Sequence, residues 1–371
     1  MLRIERLTKN FLDMVKVNSP SFEELDMANW LVSYLAERGI EAKIDNAGES
    51  FGGNSGNVIA HIKGNLDMEP ICFQAHMDQV QPCIDVKTII KDGMIMSDGT
   101  TTLGADDKAG IAAILEAVEH IREENIPHRD IYLMFTVCEE LGIYGSKHFN
   151  PDNIPAKNIV ILDVAGEPGT IAYKAPARYD IEITFKGKKA HAGIEPEKGI
   201  NAIVVASKAI SNMHIGRIDE ETTSNIGAIN GGGATNIVTD EVSFTAEIRS
   251  HSMEKLNEEL EHMKQCCDEA AKEFKTSYEI TYELSYPSFE LSKDSYIYKL
   301  TKQSFKNIGI TPNPMIIGGG SDANILAQKG YDCSLISLGI YKPHALDEYL
   351  VIQEVFDTTK VVVEMMTQDL K

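Results

Sequence analysis

Apolar positions early in the chain recur at helical spacing. Leu7, Phe11, Met14 and Val15 share one face, which predicts a helix that stops near Asn18-Ser19-Pro20. A second helix is predicted over residues 23–38, with Gly39 placed to end it. Residues 71–75 form a short apolar run that ends in His-Met-Asp and reads as a buried strand delivering polar groups at its C-terminal end. The same rhythm continues with a helix over 108–123 and apolar strands over 131–138 and 158–163. Strands alternating with helices predict an α/β fold, a mostly parallel twisted sheet with helices on both faces.

The texture changes after about residue 175. Alternating positions predict strands at 179–185, 224–230, 241–250 and 277–286, with helices at 199–213 and 253–274 between them. That order is β-α-β-β-α-β, so residues 176–287 are expected to form an inserted α+β ferredoxin-like lid domain. The larger domain would then comprise 1–175 and 288–371, resuming with a helix at 294–308, a Gly-rich turn at 318–320 and a strand at 333–338.

A chain of 371 residues with 43% hydrophobic and 25% charged positions has enough apolar material for two domains without disulfide staples. Its net charge of -21 disfavours phosphate backbones and anionic lipid, so neither nucleic acid nor membrane is expected as a partner. The longest apolar run, Ile131–Cys138, is eight residues, far below the ~20 that span a bilayer. The six cysteines form no CxxC pair and several sit among apolar neighbours, which suits reduced thiols. With no signal peptide evident at the N-terminus, the expected location is cytoplasmic.

Five clusters of acids and imidazoles stand out against this background. His76-Met77-Asp78 follows a predicted strand, so both polar side chains leave on one face. In Gly104-Ala105-Asp106-Asp107-Lys108 the acids precede a helix, where they also suit an N-terminal cap. Glu139-Glu140 follows a strand apolar enough to be buried, and adjacent buried carboxylates are costly unless a cation sits between them. Asp163 ends the core strand Asn-Ile-Val-Ile-Leu-Asp, and His344 lies in Lys-Pro-His-Ala-Leu-Asp-Glu. Each alone is ordinary. Together they place two imidazoles and several carboxylates at the carboxyl ends of strands, where open α/β sheets bind ligands. That donor set suits hard-to-borderline divalent ions, zinc first, and its size suits two ions sharing a carboxylate.

With its motifs in this order, from Ser97-Asp98-Gly99-Thr100-Thr101 through Leu103-Gly104-Ala105-Asp106-Asp107-Lys108-Ala109-Gly110, the chain resembles the co-catalytic zinc exopeptidases that include glutamate carboxypeptidase, aminoacylase and tripeptidase T. It is most similar to the tripeptidase T group. The resemblance covers essentially the whole chain and implies two Zn2+ per chain, with Mn2+ or Co2+ as substitutes. One ion would be held by His76 and Asp163, the other by Glu140 and His344, with Asp106 between them. It implies that Asp78 orients the His76 ring and that Glu139 is the general base. It further implies that His191, in Lys189-Ala190-His191-Ala192-Gly193, reaches an active site, across the subunit boundary in dimeric members.

By the same resemblance Asn236 binds substrate, and Arg249 clamps a peptide carboxylate. Backbone N–H groups around Gly319 and Ser321 would face an anionic substrate group, although the turn lacks the spacing and lysine of a phosphate loop. The implied activity is hydrolysis of short peptides by a homodimer joined through the lid. The segment between His76 and Asp106 is shorter than in tripeptidase T, which bears on strict tripeptide specificity. Two other readings compete: an amidohydrolase acting on N-acyl amino acids, and a non-catalytic assembly protein of the same fold.

Overall fold

The structure is a computed structural model and describes residues 1–370. The chain separates into two compact units, one of Met1–Lys174, Glu290–Ile317 and the residues from Ser321 onward, the other of Ala175–Phe289 with Gly318–Gly320.

In the first unit, nine strands among the described residues form one mixed sheet. Its centre is parallel: Ile131–Thr136, Ile71–His76, Asn158–Val164 and Asp332–Ser337 lie side by side in that order. Antiparallel strands flank it, with Val58–Ile62 and Ala42–Ile44 on one side and Thr170–Ala175 on the other. Every residue of Ile71–His76 is buried, so both faces of that strand are covered. Full burial of Phe73, Leu133 or Phe135 contributes about 1.5–3 kcal/mol each. The helix Ala105–Glu123 packs on the central strands and on the helices Ile4–Met14 and Ile352–Thr367. Gly110 permits the close approach, since a Cβ there would lie 2.7 Å from the Leu162 carbonyl oxygen.

The expected helices at the N-terminus appear as Ile4–Met14 and Leu25–Ala36, with Gly39 beyond the second at φ 67°. The expected strand at 131–138 ends at Thr136. Val137 and Cys138 leave it, and Cys138 takes φ 52°, so the chain turns before Glu139. The hairpin Thr88–Lys91 and Met94–Ser97 was not predicted; it joins Tyr349–Val351 and Ile340–Tyr341 in a small sheet. The helix Ile352–Thr367 also went unpredicted. Its run of β-branched residues, Thr358, Thr359, Val361, Val362 and Val363, has modest helix propensity, and buried packing on neighbouring helices decides its conformation.

The second unit is a five-stranded antiparallel sheet ordered Gly216–Arg217, Thr222–Gly231, Glu241–Ser250, Ala177–Lys186, Tyr278–Tyr286. Helices Ala202–Asn212 and Met253–Phe274 cover one face, closing a core that includes Phe185, Val205, Phe244, Ile248, Leu256 and Met263. Asn201 and Ser252 cap these helices by accepting hydrogen bonds from Ile203 N–H and Lys255 N–H. Among the described residues, no helix is long and apolar enough to cross a membrane.

Candidate metal centre

The parallel strands deliver their polar residues to one end of the sheet. His76 is the last residue of its strand and 1% exposed. Its Nδ1 lies 3.1 Å from the Asp78 carbonyl oxygen and 3.4 Å from Asp78 Oδ1. Asp78 is fully buried and also accepts hydrogen bonds from the Ser21 hydroxyl at 2.6 Å, Glu139 N–H at 3.0 Å and Glu140 N–H at 3.2 Å. One carboxylate therefore ties the His76 ring to the turn that carries both glutamates. Glu24 secures the same turn by accepting from Cys138 N–H at 2.9 Å.

Asp106 faces both imidazoles. Its Oδ1 is 3.0 Å from His76 Nε2, and its Oδ2 is 3.4 Å from His344 Nε2. His344 Nε2 also meets Glu140 Oε2 at 2.9 Å. The Asp106 loop is held from below by the buried Glu348 carboxylate, which accepts N–H groups of Leu103 at 2.7 Å, Gly104 at 2.9 Å and Asp106 at 3.0 Å. Gly104 sits at φ 77°, and a Cβ there would press into the Gln79 side chain. The Asp106–Asp107 peptide is cis, and regular helix geometry begins at Lys108, the expected start. Lys108 is buried, with Nζ donating to the Val17 carbonyl and Gln79 Oε1 at 3.0 Å each; burial lowers its pKa to about 8.

Two groups of ligand atoms within 4.8 Å of one another emerge: His76, Asp106 and Glu140, and His76, Asp107 and Asp163. Asp107 was not among the expected ligands. Its carboxylate also accepts His76 N–H at 3.3 Å and Gly110 N–H at 3.2 Å, so it steadies the strand end and the helix start. Its adjacency to Asp106 was the available signal. Asp322 and Glu348 were also overlooked. Asp322 is buried and accepts from the Gln74 amide and the Thr136 hydroxyl, side chains that no motif distinguishes.

The electrostatics of the cluster are those of excess negative charge. Burial, reinforced by Asp163 and Glu140, pushes the Glu139 pKa well above the usual carboxylate range. Burial, reinforced by Asp106 and Glu140, does the same to Asp163. Burial opposes the charged form of His76, but hydrogen bonds to Asp106 and Asp78 outweigh it and hold the ring pKa well up. Hydrogen bonds to Asp106 and Glu140 raise His344 to about 10. Glu140 Oε1 is buried with no hydrogen-bond partner. An orphaned carboxylate oxygen among mutually repelling acids is satisfied by a cation, and the mixed imidazole and carboxylate donors suit a borderline divalent ion. The residues present therefore fit a bound divalent metal.

The expected substrate residues His191, Asn236, Arg249 and Gly319 lie in the second unit. His191 and Asn236 are brought together: Ala192 N–H donates to the Asn236 carbonyl at 3.0 Å, and His191 Nδ1 accepts from Gly193 N–H at 3.1 Å. Arg249 forms a two-point pair with Glu247, at 3.0 Å for each contact, and donates to the Gly318 carbonyl at 3.3 Å. Gly319 has open space where a Cβ would stand. Ser321 departs from its expected role. Its N–H is taken by Asn324 Oδ1 at 2.9 Å, its hydroxyl caps the helix Asp322–Gln328, and it is 1% exposed, so neither group is offered to an anion.

Residues 72–368 match the family described as Peptidase family M20/M25/M40. The Bacillus subtilis (strain 168) protein YqjE is 39% identical over 371 residues, 100% of each chain. The crystal structure of a tripeptidase from Staphylococcus aureus is similar with a TM-score of 0.95 at 37% identity, covering 99% of this chain and 98% of that one. Aminopeptidase PepT from Bacillus cereus gives a TM-score of 0.90 at 38% identity, with the same coverage of 99% and 98%. The expected resemblance to the tripeptidase T group is thus confirmed, and the chain belongs to peptidase family M20/M25/M40.

Proposed function

We propose that the protein is an exopeptidase that removes residues from short peptides, with tripeptides as the favoured substrates. The carrying observation is Asp106, whose two oxygens face two different histidines, His76 and His344. In this reading His76 and Asp163 hold one divalent ion, Glu140 and His344 the other, and Asp106 is shared. Zinc is the leading metal. Bound there, the two ions supply Lewis-acid polarisation of the peptide carbonyl and lower the pKa of a water to near neutrality.

The chain's own residues do the rest. Asp78 fixes the His76 ring and, through two backbone N–H groups, the turn bearing Glu139 and Glu140. Glu139, whose carboxyl is raised by burial, takes a proton from the attacking water and passes it to the leaving amine. His191 steadies the developing oxyanion from a partner subunit, and Asn236 and Arg249 bind the peptide, Arg249 through its C-terminal carboxylate. The two-unit organisation and the tripeptidase and aminopeptidase relatives support this reading.

The test is a panel of free tripeptides, dipeptides and N-acetyl amino acids assayed on the zinc-loaded enzyme. Tripeptides are expected to give the highest kcat/KM. Preference for N-acetyl amino acids overturns the peptidase specificity in favour of an amidohydrolase.

A further inference from the structure

The second unit holds a ligand-type cluster that the proposed reaction does not use. Helix Met253–Phe274 carries Glu259 and His262 three positions apart, so both point to the same face. His214 follows the end of helix Ala202–Asn212 and is anchored there, its carbonyl accepting a hydrogen bond from the Ser224 hydroxyl. One ligand atom from each of His214, Glu259 and His262 lies within 4.8 Å of the others. His214 Nδ1 is 3.1 Å from Glu259 Oε2, and the two imidazole rings stack with centroids 3.9 Å apart. His262 Nε2 lies 3.6 Å from Cys266 Sγ.

Glu259 supplies a second observation that points to a ligand. The residue is 6% exposed, yet its other carboxylate oxygen, Oε1, is buried with no hydrogen-bond partner. A buried carboxylate half satisfied by one histidine is costly, and a cation beside it removes the cost. Acids outnumber lysines on this helix, which adds to a field favouring positive charge. Two imidazoles and a carboxylate form a donor set common around zinc, at about 2.0–2.2 Å from the metal. Tetrahedral ligands at that distance stand about 3.4 Å apart, a spacing this cluster reaches once the two rings turn out of their stack so that one nitrogen of each faces the ion. The His214 side chain is 55% exposed, which leaves room for that turn, its contact with Glu259 Oε2 being exchanged for the ion.

We propose that His214, Glu259 and His262 form a zinc site in the second unit that cross-links its two helices. Its role is structural: an ion there ties the end of Ala202–Asn212 to the middle of Met253–Phe274 and stabilises the unit.

The experiment compares full-length wild type with His214→Asn and His262→Asn. Each is stripped with chelator, dialysed to equilibrium against zinc chloride, and its zinc counted. Wild type is expected to bind one more ion per chain than either variant, with variant affinity at that site at least about tenfold weaker. Tripeptide turnover should be unchanged in both variants, and far-UV circular dichroism should report an intact fold. Zinc should raise the melting temperature of wild type more than that of the variants. Because the comparison is a difference, it is independent of how many ions the first unit holds. Equal zinc counts in the three proteins overturn the site and leave His214 and Glu259 as a hydrogen-bonded pair only.

Discussion

Glu139 and Glu140 are sequence neighbours with different surroundings. Glu140 Oε2 contacts His344 at 2.9 Å and its Oε1 is orphaned, which suits a ligand. Glu139 has its pKa raised chiefly by burial, which makes it the stronger base. Replacing Glu139 by Gln keeps size and polarity but removes the basic oxygen. Turnover should fall about 10²–10⁴-fold with zinc content equal to wild type. Replacing Glu140 by Gln should lower zinc content by one ion, with activity falling as a consequence. Zinc counting beside kcat distinguishes the two, and an active Glu139→Gln enzyme would remove the base from that position. At this scale the candidate cluster was legible because imidazoles and carboxylates ending apolar strands have few structural uses, and the structure brings His76, Asp106, Glu140 and His344 within contact of one another. Asp107 was not, since nothing in an Asp-Asp pair says which member turns inward. Nor was the fate of Ser321, whose N–H finds its partner only through the capping geometry.

At the scale of elements, the centre depends on loops held by buried carboxylates. Glu348 precedes the short strand Tyr349–Val351 and gathers three N–H groups of the Leu103–Asp106 turn. Burial raises its pKa to about 7 against those hydrogen bonds. Gln at this position presents an amide N–H to at least one of those donors. Glu348→Gln should cost about 1–3 kcal/mol of stability in urea melts. It should also weaken zinc binding, because Asp106 loses its support. Unchanged stability and affinity would show that the turn holds itself. The helix Ile4–Met14 was predictable from its period and the strand Ile71–His76 from its short apolar run. Elements such as Thr88–Lys91 were not, because Ile89 and Ile90 are 45% and 55% exposed and the strand forms only by pairing.

For the whole molecule, the acids that build the centre oppose folding when no ion is present. The folded pKa values of Glu139, Asp163 and Asp107 stand above their unfolded values near 4. The native state therefore holds more protons than the unfolded chain above about pH 4, and stability falls as pH rises through the raised values. His76, also raised, adds stability that is complete below its unfolded pKa and is likewise lost as pH rises. Metal-free protein should melt at progressively lower temperature as pH increases above about 4, and zinc should flatten that slope. A pH-independent melt of the metal-free protein would deny the repulsion. The second unit was legible as a change of texture near residue 175. If His191 serves a partner's site, mixing inactive His191→Ala and Glu139→Gln chains restores one complete site per mixed dimer. About a quarter of wild-type activity should then return, and none should if the residue acts within its own chain. In the proposed reaction, hydrolysis requires two ions bound at the His76–Asp106–His344 cluster. The most direct test of that requirement is a zinc titration of metal-free protein in a His262→Asn background, counting ions against tripeptide turnover. Activity should be lost on depletion, stay submaximal with one ion, and reach its plateau when two are bound. Full turnover without metal, or with a single ion, would contradict it.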